Sequence, residues 1–384
     1  MLNIVFTGGG TGGHIYPGLA VVEELREMLD NSEFNSDGQK NYKIFWIGAK
    51  SGMDKELVSK SSVVDQFIGI PCGKLRRYFS LQNFFDLFKI VAGLIKSYFV
   101  LAKLKPQVVF SKGGFVSVPP CYAAKALKIP VFTHECDFTT GLATRLNTKV
   151  AKKLFVSYAE TKESLSQSIQ NKTIVSGNPV RPAFFNSDAK KGLEFIASIK
   201  NITVDDIDKS KPILLVVGGS LGAKQINDLV WNNVDWLCQH FTVIHQTGKQ
   251  DEMKNFDNSG YFQTEFIYSQ MADVMKCSDV ILSRAGANFL WEACTQNKPM
   301  VLIPLGGEGR RGDQIDNASY FEKKGCAIVI DCIKADDALL KNALEKVLDK
   351  DERSKMSECA KILCGEKRAT KIIAENILSE LKAE

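Results

Sequence analysis

A run of glycines ends in a histidine at Gly8-Gly9-Gly10-Thr11-Gly12-Gly13-His14, directly after the apolar stretch Ile4-Val5-Phe6. Glycines let backbone amides approach an oxyanion closely, and a helix starting there aims unpaired N–H groups and a positive dipole at a phosphate. The run therefore predicts a phosphate-binding turn between a strand and a helix. A dinucleotide site also needs an acid about 20 residues on to hold the ribose. The next strand ends Ile47-Gly48-Ala49-Lys50-Ser51, with no acid. That excludes NAD, while Lys50 leaves NADP open through its 2′-phosphate. His14, at the start of the expected helix, sits where a helix N-terminus disfavours imidazolium and favours a neutral proton acceptor.

Other strand ends carry similar material. Phe110-Ser111-Lys112-Gly113-Gly114-Phe115 repeats the strand-to-glycine pattern and reads as a second anion contact or a plain turn. His134-Glu135-Cys136-Asp137 follows Val131-Phe132, where a carboxylate can orient a histidine, accept a proton or meet sugar hydroxyls. Later come Gly218-Gly219-Ser220-Leu221-Gly222 and Ser283-Arg284-Ala285-Gly286-Ala287, again strand, turn and helix start. Glu292 lies two turns into that last helix on the Asn288 face, suited to paired ribose hydroxyls. The loop Pro304 to Gln314 is rich in glycine and holds Arg310 and Arg311.

The elements that must position these residues alternate. Short apolar runs, taken as buried parallel strands, begin at Ile4, Ile44, Val108, Val131 and Leu154, and again at Ile213, Phe241, Val280, Met300 and Ala327. Helical spacing between them, as in Pro17 to Leu29 and Phe84 to Leu104, implies parallel sheets covered by helices. The pattern occurs twice, each copy opening on a glycine turn. It predicts two Rossmann-like domains facing a cleft, with the polar stretch Asn186 to Lys211 as linker.

Composition narrows the class. A chain of 384 residues fits two domains, and 45% apolar with 24% charged residues is the balance of a folded protein. The net charge is only +5, but Pro71 to Lys105 carries seven Lys and Arg residues against the single Asp86. That patch is lysine-dominated and lies on an apolar helical segment, unlike the aromatic platforms or arginine-rich arms of RNA binders. The ten scattered cysteines lack zinc-ligand spacing and read as reduced thiols, mostly core filler. No secretory leader is expected before Leu2. Phe84 to Leu101 is interrupted by Asp86, Lys89 and Lys96, so it is not expected to span a bilayer.

With these motifs in order, the sequence resembles the MurG family. The resemblance rests on Thr7 to Ala20, Gly113-Gly114-Phe115-Val116-Ser117, His134-Glu135 and Gly177-Asn178-Pro179-Val180-Arg181. It continues through Val217 to Ala223, Thr264-Glu265-Phe266-Ile267 and Arg284-Ala285-Gly286-Ala287. Members move N-acetylglucosamine (GlcNAc) from UDP-GlcNAc to undecaprenyl-pyrophosphoryl-MurNAc-pentapeptide, lipid I, giving lipid II for peptidoglycan. The resemblance implies the GT-B fold, an α/β architecture of two Rossmann-like parallel-sheet domains. Residues 1–182 would be the acceptor and membrane-facing domain, 183–211 a linker, 212–365 the UDP-GlcNAc domain, and 366–384 a helix returning to the first domain.

By motif, the resemblance makes His14 the catalytic base with Glu135 in support. It puts Thr11, Gly12, Gly13, Arg181, Ser220, Ile267, Gly286, Ala287, Asn288, Phe289, Glu292 and Gln314 around UDP-GlcNAc. The acceptor pyrophosphate falls to Gly10, Gly113 and Gly114. Independently of the resemblance, the helical spacing of Phe84, Phe88, Val91 and Leu94, with Lys89, Lys96 and Lys103 seven residues apart, reads as a membrane-docking face or as a crossover helix buried against the sheet. Asp137 stands where many members have Asn, Phe115 where Tyr is common, and the Gly306 to Asp313 loop is longer than in some. No Asp-x-Asp metal motif falls at a strand end, so neither metal nor cofactor is expected. The expected partners are UDP-GlcNAc, lipid I, an anionic membrane surface on the cytoplasmic side and other cell-wall enzymes, with no nucleic acid. The alternative keeps the fold in a glycolipid synthase or a UDP-GlcNAc 2-epimerase.

Overall fold

The computed structural model describes residues 1–36, 39–74, 81–219, 222–249, 253–307, 312–365 and 368–382. The chain divides into two compact units, Met1–Arg181 with Lys367–Glu384, and Pro182–Glu366.

In the first unit, β1 (Leu2–Thr7), β2 (Tyr42–Ala49), β3 (Gln66–Ile70), β4 (Val108–Ser111), β5 (Val131–Glu135), β6 (Lys153–Val156) and β7 (Thr173–Val175) make one sheet. Its order is β3-β2-β1-β4-β5-β6-β7, and every pairing is parallel. The inner strands are apolar runs because both faces are covered. Phe6, Trp46, Phe110, Phe132 and Phe155 pack under α1 (Gly12–Asp30) and the last helix, Ala369–Lys382. Val5, Ile47 and Val109 face Leu101 of α2 (Leu81–Leu104) and Cys121, Ala123 and Ala124 of α3 (Val118–Ala126). From β1 the chain winds first to one side and then returns to β4 on the other. The crevice at their carboxyl ends is the topological switch point where such sheets bind ligands. Thr7 pairs with Ser111, so the Gly8 and Gly113 turns leave the sheet side by side.

The second unit repeats the winding with β8 (Ile213–Val217), β9 (Thr242–Gln246), β10 (Tyr261–Thr264), β11 (Val280–Ser283), β12 (Met300–Leu302) and β13 (Ala327–Val329). The order is β10-β9-β8-β11-β12-β13. Val217 pairs with Ser283, which brings the Gly218 turn beside Arg284-Ala285-Gly286.

One expectation needs correcting. The stretch 183–211 is not a free linker but part of the second unit. It contains α4 (Ala189–Lys200), capped by Asp188, whose side chain accepts from the Lys190 N–H. Gly192, Ile196 and Ala197 form its buried stripe, and it packs on α5 (Met271–Cys277). The Asp and Lys residues that suggested a linker include the solvated side of this helix.

The helix α2 is inside out. Its buried positions include Asp86, Gly93 and Ser97 as well as Leu101, while Phe84, Phe85, Phe88, Ile95 and Phe99 are each more than half exposed. Among the described residues, no helix is long and apolar enough to cross a membrane.

Candidate active site

After β1 the chain turns through Gly8 to Gly10 and enters α1 at Gly12, with extended backbone at Thr11. No acid lies in the first turn and no side chain caps it, so nothing of that kind competes for an anion there. Gly10 has φ +86°, and a Cβ on it would fall 2.5 Å from the Phe115 ring, so only glycine fits. The turn is pinned from below. Buried Asp54 accepts from the Gly10 N–H at 2.9 Å and from the Ala49 N–H at 2.9 Å, and Trp46 Nε1–H donates to Gly8 O at 3.1 Å.

The His14 ring lies against the second glycine turn. Gly114 has φ +78°, and a Cβ there would meet His14 Cδ2 at 2.9 Å and Gly9 O at 2.6 Å. This turn too is braced. The Gly113 N–H donates to Ser111 Oγ at 3.1 Å, and Asn147 Nδ2 donates to both Ser111 Oγ and Ser117 Oγ, at 3.1 and 2.8 Å. The two glycine turns and His14 thus form one rigid corner at the switch point.

Beside that corner, Glu135 is buried at the end of β5. Its Oε1 accepts from the Asp137 N–H at 3.1 Å and its Oε2 from the Gly141 N–H at 2.8 Å. The carboxylate holds the 136–141 loop in shape. Neighbouring His134 donates from Nε2 to Gly177 O at 3.0 Å. Burial, reinforced by the charge of Lys112, holds its pKa well below the usual range, so it stays neutral. Lys112 itself is 1% exposed, and its Nζ finds no hydrogen-bond partner among the described residues.

In the second unit, α6 (Ala287–Thr295) starts after Gly286, again with no acid in its first turn and no side-chain cap. Residues 4–156 match the glycosyltransferase family 28 N-terminal domain and residues 213–375 the C-terminal domain of the same family. A curated relative from Treponema denticola is 47% identical, with 98% of this chain and 97% of that one aligned. The chain belongs to family 28, in its MurG branch. That relative is named UDP-N-acetylglucosamine–N-acetylmuramyl-(pentapeptide) pyrophosphoryl-undecaprenol N-acetylglucosamine transferase. The crystal structure of Acinetobacter baumannii MurG superposes with a TM-score of 0.69 at 22% identity, covering 99% of this chain and all of that one. The UDP-GlcNAc 2-epimerase of Neisseria meningitidis, bound to UDP-GlcNAc, superposes at 0.65 with 17% identity, covering 98% of this chain and 99% of that one. At such identities the two superpositions establish the fold, an α/β GT-B pair of Rossmann-like units.

Several residues expected around the donor in this MurG-branch chain also hold neighbouring segments together. Gln314, in α7 (Asp313–Lys323), accepts with its Oε1 from the Ala285 N–H at 3.2 Å and the Leu305 N–H at 2.9 Å, joining the loops after β11 and β12. The Ile267 N–H donates to Gln246 Oε1 at 3.0 Å, and Gln246 Nε2 donates to Gly219 O at 3.3 Å. Arg284 spans the strand ends through Gln225 Oε1 and Ile303 O, both at 3.0 Å. Ala287 and Glu292 are buried in α6, with Asn288 and Phe289 half-buried. Arg181 closes the first unit with its guanidinium 5.2 Å from the Tyr16 ring centroid. Ser220, Arg310 and Arg311 lie outside the described residues, as do Arg76, Arg77, Tyr78 and Phe79 before α2.

Proposed function

We propose that the chain transfers GlcNAc from UDP-GlcNAc to the MurNAc 4-hydroxyl of lipid I, producing lipid II. The observation that carries this reading is the His14 ring seated on the Gly113–Gly114 turn at the start of α1. The activity in the Treponema denticola relative's name, aligned over nearly the full chain, supports it. His14 takes the proton of the acceptor hydroxyl. The oxygen forms a bond to the anomeric carbon on the face opposite the departing UDP, whose C–O bond breaks, so the configuration inverts. Charge developing on UDP is met by the start of α6 at Gly286, Ala287, Asn288 and Phe289, with Thr11, Gly12, Gly13 and Arg181 as further contacts. Glu292 accepts the ribose hydroxyls, while Ser220, Ile267 and Gln314 complete the donor site. Amide dipoles and Arg181 supply the positive charge, so the transfer needs no metal.

The acceptor pyrophosphate lies at Gly10, Gly113 and Gly114, with the buried charge of Lys112 behind that corner. Glu135 supports His14 by shaping the adjoining loop. The exposed apolar face of α2, with Phe84, Phe88, Val91 and Leu94, docks on the cytoplasmic membrane surface where a lipid-linked acceptor resides. Other cell-wall enzymes are partners at the same surface.

UDP release measured with and without a short-chain lipid I analogue tests the reading. Release should depend on the analogue. Equal release without it, accompanied by N-acetylmannosamine, would favour the 2-epimerase.

A further inference from the structure

Three thiols meet in the second unit behind the helix that carries Glu292. Cys294 is the penultimate residue of α6, Cys326 precedes β13, and Cys364 ends α8 (Lys350–Cys364). The Cys294 thiol donates to Ala360 O at 3.1 Å, one turn before Cys364, and Thr295 Oγ1 lies 3.5 Å from Cys364 Sγ. Ala360 and Cys364 lie one turn apart on the same face of α8, so these two contacts seat the Cys294 side chain beside Cys364. All three are free thiols. Cys294 and Cys326 are fully buried, whereas Cys364 is partly open to solvent.

We propose that Cys364 and Cys294 are a thiol-oxidation site at which hydrogen peroxide closes a disulfide between α8 and α6. The Cys364 thiolate attacks the peroxide: an S–O bond forms, the O–O bond breaks, and the departing hydroxide takes up the thiol proton as water. Cys294 sulfur then attacks Cys364 sulfur. The S–S bond forms, the S–O bond breaks, and a second water leaves. Two thiols lose two electrons in all, and one peroxide becomes two waters.

The two cysteines divide the roles such a site needs. Cys364 is the accessible thiol and Cys294 the buried one that resolves it. The Thr295 hydroxyl donates to Trp291 O at 2.9 Å, while hydrogen bonding from Cys294 brings the Cys364 thiol down to about 6 against its partial burial. The single Cys294 proton serves one acceptor at a time, so this bond forms when it turns from Ala360 O. Elsewhere burial pushes the thiols of Cys72, Cys121 and Cys277 up to about 12, which leaves them inert. A disulfide draws the sulfurs to about 2.05 Å. The end of α8 can follow, because Gly365 comes next at φ +63°. The pull reaches Glu292, two residues before Cys294 on α6. Its effect on the donor rests on the role proposed above for Glu292; the disulfide itself does not.

The test is peroxide treatment of the full-length protein, alkylation of remaining thiols and peptide mapping, followed by donor kinetics. A Cys294–Cys364 bridge reversed by dithiothreitol is expected, with KM for UDP-GlcNAc raised about threefold or more. Cys364→Ser should lose both effects, and Cys326→Ser should keep both. Cys364 left as a thiol, or a bridge from Cys294 to Cys326, would overturn the site. A mapped bridge with unchanged KM would overturn its link to the donor helix. The map needs no turnover, so failure of the transferase reading leaves it intact.

Discussion

His14 owes its place to residues far from it in sequence. Its own run of glycines announces a phosphate turn, and its position at a helix start was legible from that run alone. The residues that make the corner rigid were not. Asp54 holds Gly10 from 44 residues away, at the start of a helix whose local sequence looks like any solvated acid. Only the register of β2 against β1 brings it beneath the turn. Lys112 read as one residue of a turn, and its burial follows from lying behind Gly8 and Gly18 of α1, which no local pattern encodes. Glu135 was expected to support His14, and its two oxygens accept backbone N–H groups that shape the adjoining loop. If His14 is the base, His14→Ala should lower kcat by roughly 10²- to 10⁴-fold while UDP affinity changes little. Steady-state kinetics and calorimetry with UDP check both halves, and near-normal kcat would remove His14 from the role.

At the scale of elements, the inner strands were readable because burial on both faces makes them continuous apolar runs. The strands missing from the sequence reading, β3, β7 and β10, all lie at sheet edges. Gln66–Ile70 is half-exposed, and Thr173–Val175 has only three residues, so neither shows such a run. The helix α2 was legible as a helix, but its apolar residues left a buried crossover and a docking face both open. Packing separates the two. The helix meets α3 through a stripe including Gly93 and Ser97, and Gly93 approaches Pro71 O so closely that a Cβ would fall 2.4 Å away. Its large side chains are therefore left outside, and exposed apolar surface of this extent marks an interaction site. Nearby lysines add about 1 kcal/mol each on an anionic membrane. Phe84→Ser/Phe88→Ser should reduce sedimentation with anionic vesicles several-fold while far-ultraviolet circular dichroism and melting stay native. Undiminished binding by the folded variant would move the membrane contact elsewhere.

For the whole molecule, the doubled pattern of strand, glycine turn and helix was enough to predict two doubly wound units. Their limits were harder to read. The polar stretch after Pro182 looked like a linker because α4 is solvated on one side, yet its buried stripe belongs to the second unit. The last helix lies in the first unit although it follows the second in sequence. There Ile373, Ala374, Ile377 and Leu381 join the core under α1. Two such units, each with a helix start aimed at its own switch point, suit a reaction joining a nucleotide-bound sugar to a pyrophosphate-linked one. Product analysis with isotope-labelled UDP-GlcNAc, a short-chain lipid I analogue and excess chelator tests that claim most directly. The account predicts one labelled GlcNAc β-linked to the MurNAc 4-hydroxyl for each UDP released. Label recovered only as free sugar, or an α-linked product, would contradict it.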